Sequence, residues 1–424
     1  LIKRTIEAYG LSLKKVLGHQ RLVLLLIFGT MILTTVLFYT IPKGFFPLQD
    51  TGFIQVISEG DDAISFEAMT KAQAILNKEI LKDPDVENIA SFVGIDDINI
   101  TLNTGRILIN LKPITERSSS VQSTIQRLQK IKEINGLKLY MQPVQEFVID
   151  DRITRTQYQY SLSSPDAHMV SLWTERLVKE LQQYPELTGV TSDQTNYGLQ
   201  THIYIDRDRA LALGITPFDL DNILYSSFSQ RQVSTIYTQV NQYYVILEVL
   251  PELQKDPQHL RSLYLKSFNN VPIPLSTFIR VQDKTGPLVI SRQGQFPVST
   301  LSFNVSSKSS LDKAVDVIQE ATKKIGIPET LQGSFEGAAK TFKNSLSHEG
   351  WLLLAAIIAV YVVLGILYES YIHPLTILST LPSASVGALL GLILFQKELT
   401  IVALIGIILL IGIVMKNAIM MIDF

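Results

Sequence analysis

The stretch ALIGIILLIGIVMKNAIMMIDF (403–424) decides how this chain is read. From Leu399 it runs apolar and uncharged until Lys416, with Asn417 beside it, and then the apolar run resumes. A bilayer core takes about 20 apolar residues as helix, so 399–422 reads as a membrane span. An ammonium group at the centre of such a helix costs about 2.5–3.5 kcal/mol. At 1.5 Å per residue Lys416 lies about 25 Å along the helix, near enough to its end for the stem to carry the charge to the headgroups. Against that, NAIMMI continues the apolar run, and Asn417 adds a second polar group that needs a partner. Residue types alone leave both readings open, snorkelling and a functional intramembrane pairing.

Three more segments read as spans: 22–41 (LVLLLIFGTMILTTVLFYTI), 351–367 (WLLLAAIIAVYVVLGIL) and 374–395 (PLTILSTLPSASVGALLGLILF). The first is too long for a cleavable signal and lacks a small-residue cleavage site. Lys3, Arg4, Lys14, Lys15 and Arg21 precede it, which sets 1–21 on the cytoplasmic side. Residues 42–350 then lie across the membrane, YESYIHP (368–374) is cytoplasmic, and QKE (396–398) is on the far side. Ser383, Gly387 and Gly391 sit four apart, a spacing that lets another helix approach. Pro374 suits a first helical turn, and Pro382 predicts a kink.

The region between the outer spans reads as mixed α/β with an internal repeat. FIQVISEG (53–60), a helix over 65–82 and VENIASFVG (86–94) form a strand–helix–strand unit. The order recurs at 158–164, 166–183 and 187–194, and again at 299–305, 309–324 and 330–336. Such units suit a split βαβ, ferredoxin-like arrangement. Between the second and third units lies a different segment, 196–288, with a strand THIYID (201–206) and Asp206 as an N-cap. Its SQRQVSTIYTQVNQYYVILEVL (229–250) predicts a long hairpin broken at QVNQ.

Composition narrows the function. The chain has 424 residues, which calls for two or more units. Its net charge of −2 argues against nucleic acid, and with no cysteine there is no disulfide framework and no thiolate metal site. No hydrolase elbow, phosphate loop or dinucleotide fingerprint is present. His19, His168, His202, His259, His348 and His373 are dispersed without metal-ligand spacing. Met69, Met141 and Met169 are isolated and read as core filler. Asp61–Asp62, Asp96–Asp97 and Asp150–Asp151 read as solvated turns. No catalytic group, metal or cofactor is expected.

LGILYESYIHPLTILSTLPSASVGALL (364–390) and the 403–424 stretch closely resemble the resistance–nodulation–division (RND) efflux transporters, hydrophobe/amphiphile type. RQVSTIYTQVNQYYVILEV (231–249) and GSFEGAAKTF (333–342) look most like the branch that builds mixed multidrug pumps from two similar subunits. The resemblance covers the whole chain and implies a membrane α-helical bundle plus a periplasmic α+β region. The chain matches the second half of a two-half protein, without its last two helices. The division implied is a connector (1–21), a transmembrane helix (22–41), a porter subdomain (42–164), and a second porter subdomain split into 165–195 and 289–345. A docking subdomain (196–288) is inserted in the latter, and transmembrane helices follow at 350–368, 374–395 and 399–424.

The resemblance further implies a proton/drug antiporter in a bacterial inner membrane, and not an enzyme. Its partners are like subunits in a homo- or mixed trimer, a periplasmic adaptor, an outer-membrane channel and lipid, with no nucleic acid. Lys416 matches the family's intramembrane lysine, which faces two acids on a helix of the first half, with Asn417 orienting it as part of the proton relay. Gln230, Arg231, Gln232, Tyr237, Asn241 and Gln242 fall on the docking hairpin. The loop region FVGIDDINITLNTGRILINLKP (92–113) holds Phe92 as its single aromatic, so drug contacts are left unassigned. The alternatives are a metal exporter of the same fold, and a scaffold, sensor or inactive truncated product.

Overall fold

The computed structural model describes residues 10, 14, 16–95, 100–131, 136–146, 154–254, 256–306 and 309–423, with 346–350, 352, 353 and 423 by backbone alone. Lys3, Arg4, Lys15, Asp96–Asp97 and Asp150–Asp151 lie outside the described residues. The chain divides into one compact unit formed by the segments before Thr195 and after Leu288, and a second formed by Thr195–Leu288.

The first unit opens with helix α1 (Gln20–Thr40), uncharged from Leu22 on and with no buried residue of its own. The chain then folds β1 (Phe53–Glu59), α2 (Phe66–Ile80), β2 (Val86–Val93), β3 (Thr104–Leu111), α3 (Val121–Leu128) and β4 (Lys138–Pro143). These strands form one antiparallel sheet in the order β2-β3-β1-β4. That order is the ferredoxin-like one, reached because each helix crosses one sheet face and returns the chain two strand positions away. Met69, Ala72, Leu76 and Ile80 on α2 repeat at three- and four-residue spacing, and that stripe is buried against Ile54, Val56, Ile107 and Ile109.

A second sheet follows. It begins with β5 (Tyr158–Ser163), α4 (Ala167–Leu181) and β6 (Leu187–Ser192). The chain then leaves for the inserted unit, built from β7 (Gly198–Ile205), α5 (Arg207–Ala212), α6 (Pro217–Phe228), β8 (Arg231–Tyr237), β9 (Gln242–Leu247) and β10 (Ile279–Gly286). It returns with β11 (Phe296–Val305), α7 (Leu311–Lys324) and β12 (Gln332–Glu336). The strand order is β6-β11-β5-β12, again antiparallel, so the two sheets share one topology although the second is interrupted midway.

Two readings of the sequence change here. The division at 164 is corrected: β5 is a central strand of the second sheet, paired with β11 and β12, so 158–164 belongs there. The three βαβ repeats resolve into one complete ferredoxin-like unit and one split one. The β3–α3–β4 half of the first unit was not separated by periodicity.

β12 runs directly into α8 (Gly337–Tyr368), a helix of 32 residues. Next come α9 (Ile372–Leu378), α10 (Leu381–Leu394) and α11 (Ile401–Asp423). Three helical stretches among the described residues are long and apolar enough to cross a membrane: Gln20–Thr40, Ile372–Leu394 and Ile401–Ile422. Leu354–Tyr368 within α8 is a shorter apolar stretch. The predicted kink falls between α9 and α10, with Pro382 in the first turn of α10. Thr34 on α1 donates its hydroxyl to the Pro382 carbonyl at 3.0 Å, which ties α1 to the bend.

Where the helices meet the second sheet, residues 42–45 run beside 399–401. Leu399 N–H donates to the Pro42 carbonyl at 2.9 Å, Gly44 N–H to Leu399 at 3.2 Å, and Ile401 N–H to Phe45 at 3.2 Å. Phe45 is buried in the core of the second sheet, against Phe342 of α8, and Ile401 packs on the same cluster.

Candidate functional site

Lys416 sits on α11, a helix of 23 residues whose first turn is held by the Thr400 hydroxyl, accepting from Ala403 N–H at 3.3 Å. One face of α11 is committed to packing. Ala403, Leu404 and Ile407 pack on a cluster with Ile41, Leu389 and Leu399. Further along, Met415, Ala418, Ile419 and Ile422 pack with Leu364 and Ile377. At 100° per residue these positions form one broad stripe, and Lys416, Asn417 and Met420 all fall outside it. Lys416 and Asn417 are both exposed. Neither has an ion pair or side-chain hydrogen bond among the described residues. The arrangement offers a cation and an amide on a face that no helix covers among the described residues.

The inserted unit, taken by itself, carries the predicted hairpin. β8 and β9 pair from Tyr237↔Gln242 to Arg231↔Leu247, with a bulge between Gln232 and Ser234. Asn241 accepts from Gln242 N–H through its side chain, and the Thr238 hydroxyl donates to the Asn241 carbonyl, which closes the turn. Gln230 takes a positive φ of 50° where α6 turns into β8. Arg231 donates to the Ser226 hydroxyl at 3.0 Å and lies over the Tyr225 ring, which pins the hairpin base to α6. Gln232 donates to the Thr235 hydroxyl and Gln242 to the Tyr244 hydroxyl. Tyr237 and Val240 are exposed at the tip.

Comparison with known proteins places this geometry. A model of the AcrB/AcrD/AcrF family matches residues 1–424. The chain belongs to that family of RND efflux transporters. Among solved structures, the RND chain is similar to a heavy metal efflux pump in its crystal form II, with a TM-score of 0.88 and 20% identity over 97% of this chain. Crystal form I gives a TM-score of 0.85 and 19% identity over 96% of this chain. At that identity the likeness establishes the RND pump fold. The chain spans 43% of the length of either pump chain.

The remaining predicted positions of the RND chain fall as follows. Ser383 and Gly387 are exposed on α10, and Gly391 is half-buried, almost in line with the buried Ala384. Among the described residues, a methyl group added at Gly387 or Gly391 would meet nothing within 4 Å. Met69 and Met141 are buried in the first core, and Met169 packs on the second. Among the described residues no three His, Asp or Glu side chains gather as a metal site. Phe92 is half exposed under the Arg106 guanidinium, and Ile107 and Ile109 are buried in the first core.

Sequence reasoning missed a cluster between the sheets. Arg155 bonds Glu59 at 2.5 Å and the Ser192 carbonyl at 2.9 Å, and Asp193 stands close by. Burial pushes the Asp193 carboxyl above its ordinary range, although the Thr300 N–H, the Ser299 hydroxyl and Arg155 oppose it. No local pattern marks these residues, since Glu59, Arg155 and Asp193 are far apart in the chain. The paired acids that the sequence did mark, Asp61–Asp62, lie at the end of β1, where Asp61 accepts from Ala63 N–H as an ordinary turn.

Proposed function

We propose that this chain forms half of a proton-driven exporter of drugs or amphiphilic compounds, with Lys416 as its intramembrane charge. The observation that carries the reading is the exposed ammonium and amide on the uncovered side of α11, while the other side is packed. A charge in an apolar helix calls for a partner of opposite sign. The parent protein supplies it as carboxylates on a helix outside this chain. With those acids ionised, the ammonium stabilises them, and in low dielectric the attraction far exceeds its value in water. A proton arriving from the periplasmic side neutralises an acid, the attraction falls, and Lys416 is released. Asn417 orients the lysine. The resulting shift of α11 is felt in the second sheet through Ile401, which donates to Phe45 and shares its core cluster.

In this reading the two sheets are porter subdomains that alternately admit and expel substrate, and Thr195–Leu288 docks toward an outer-membrane channel through its hairpin. Like subunits in a trimer and a periplasmic adaptor complete the assembly in the inner membrane. A metal exporter is the second reading, because both similar solved structures are of a heavy metal efflux pump. The burial of Met69 and Met141 inside the first core weighs against it, because a thioether there is a packing group and not an exposed soft ligand.

Lys416→Ala in the intact transporter is expected to abolish dye export while membrane insertion and assembly persist. Normal efflux from a well-expressed variant would defeat the reading. This chain alone in vesicles is expected to move no dye on an imposed proton gradient, since among the described residues no acid pairs with Lys416. Silver or copper protection without drug protection in a susceptible host would instead select the metal reading.

A further inference from the structure

The two sheets of the first unit are joined by a buried charge cluster for which the transport reading has no use. Glu59 ends β1, opposite Thr104 of β3 and Lys138 of β4. Arg155 lies between β4 and β5. Its Nε donates to Glu59 Oε2 at 2.5 Å on the first sheet, and its Nη1 donates to the Ser192 carbonyl at 2.9 Å on the second. The Arg155 and Glu59 side chains are 13% and 12% exposed. Asp193 follows β6, and its Oδ1 accepts from the Ser299 hydroxyl and the Thr300 N–H, each at 2.9 Å. The Arg155 charge acts on that carboxylate as well. Around this core Tyr140 on β4 meets Thr191 on β6 at 3.3 Å, and Gln142 donates to the Thr154 carbonyl at 2.7 Å.

Apolar contacts between two sheets tolerate sliding, because dispersion has little directionality. A guanidinium differs: its donors leave in fixed directions in one plane. With one edge on Glu59 and another on Ser192, it specifies an angle as well as a distance. Burial makes the arrangement all-or-none, since withdrawing one partner strands a charge away from water. We propose that Arg155 is a positioning residue that fixes the angle between the two sheets by holding Glu59 of one and the Ser192–Asp193 end of β6 of the other on a single guanidinium. Its consequence for export rests on the transport reading, because that angle then governs access between the sheets. The geometric claim stands without it.

The test uses the intact transporter. This chain has no cysteine, so Ala74→Cys on α2 and Asp316→Cys on α7, both exposed, place one spin label on each sheet's helical layer once cysteines elsewhere are replaced. By pulsed electron resonance the unmodified cluster is expected to give a narrow population at the separation in which Arg155 reaches both Glu59 and Ser192. Arg155→Ala is expected to add a longer, broader population and to lower export by about tenfold, the scale of a lost coupling contact. Glu59→Gln, which keeps the side-chain shape, gives a smaller broadening and serves if Arg155→Ala fails to fold. Because the two acids share one cation, Glu59→Gln and Asp193→Asn together should shift the distribution by less than the sum of the singles. An unchanged distance in Glu59→Gln, or strict additivity in the pair, would overturn the proposal. A wild-type protein that exports nothing would sink the transport reading and leave the distance result intact.

Discussion

The first and second sheets have the same strand order and are closed in different ways. The first has an aliphatic core drawn only from its own elements, Ile54 through Met141. It is bolted from outside: Arg127 on α3 reaches Asp83 at 2.6 Å and Asp85 at 2.8 Å, at the turn between α2 and β2. The second is aromatic, with Tyr158 near Phe303 at 5.8 Å and Tyr160 edge-on to Phe335 at 4.9 Å. Its core also accepts Phe45 from beyond α1, Ala339 and Phe342 from α8, and Ile401 from α11. One topology thus yields a self-contained domain and a domain rooted in the membrane helices. Among the described residues, only the second shares its core with the helices.

The largest expected effect follows from that root. Phe303 is fully buried, and Phe303→Ala should destabilise the second sheet by about 3–5 kcal/mol. Ile107, fully buried in the first sheet, should cost about 2–5 kcal/mol when cut to Ala. The locations distinguish them. Hydrogen exchange should accelerate at 42–45 and at the start of α8 in the Phe303 variant, and stay at wild-type rates there in the Ile107 variant. Equal loosening of 42–45 by both would erase the contrast.

Acid gives the next effect. Around Asp85, burial raises the carboxyl's pKa but is outweighed by the hydrogen bonds from Arg127 and Ser118, so the group is held below its ordinary range. A depressed carboxyl contributes stability that is present above its unfolded value, about 3.9, and is lost as pH falls through the lower folded value. Asp193 in the second sheet has the opposite sign. Burial raises it, so its favourable contribution is present below the unfolded value and disappears as pH rises through the folded one. Arg127→Ala should cost about 1–2 kcal/mol near neutrality, reduced by the partial exposure of Arg127, and should flatten the acid limb of the first sheet. Asp193→Asn should flatten the response of the second. Exchange measured sheet by sheet between pH 3 and 8 would show both, and parallel profiles would contradict the assignment.

What was legible in the sequence was local. Lys416 stood out because everything around it is apolar. The first sheet's helix over 65–82 showed as a stripe of Phe66, Met69, Ala72, Ile75 and Leu76, of which Met69, Ala72 and Leu76 are buried and Phe66 and Ile75 are exposed. Pairing across distance was not legible. β5 follows the first sheet in the chain, yet its partners are β11 and β12, beyond the inserted unit. Thr104–Leu111 is a strand inside a stretch the sequence presented as a loop region, and nothing local said that it opens the second half of a repeat. The Arg155 cluster gathers residues 59, 155 and 193, each of which reads as solvated until the sheets are assembled. The small residues of α10 marked a spacing suited to helix approach, and among the described residues nothing lies within 4 Å of a methyl group placed at Gly387 or Gly391.

The smallest effect tests whether equivalent helices are anchored equally. α2 and α4 occupy matching places, each crossing from the first to the second strand of its sheet. Each leaves orphan N–H groups in its first turn, and each is capped by one side chain. Ser65 accepts from Ala68 N–H at 3.3 Å, and Asp166 accepts from His168 N–H at 2.9 Å. The aspartate contact is shorter, and its charge also meets the positive end of the helix dipole. Both Ser65→Ala and Asp166→Ala should therefore cost about 1 kcal/mol, with the aspartate greater by a few tenths. Raising the salt concentration should shrink that difference, because the dipole term is screened and the neutral hydroxyl cap is not. A larger loss at Ser65, or a gap that salt leaves untouched, would show that the two helix starts differ through packing, and that their shared topology does not extend to how they are capped.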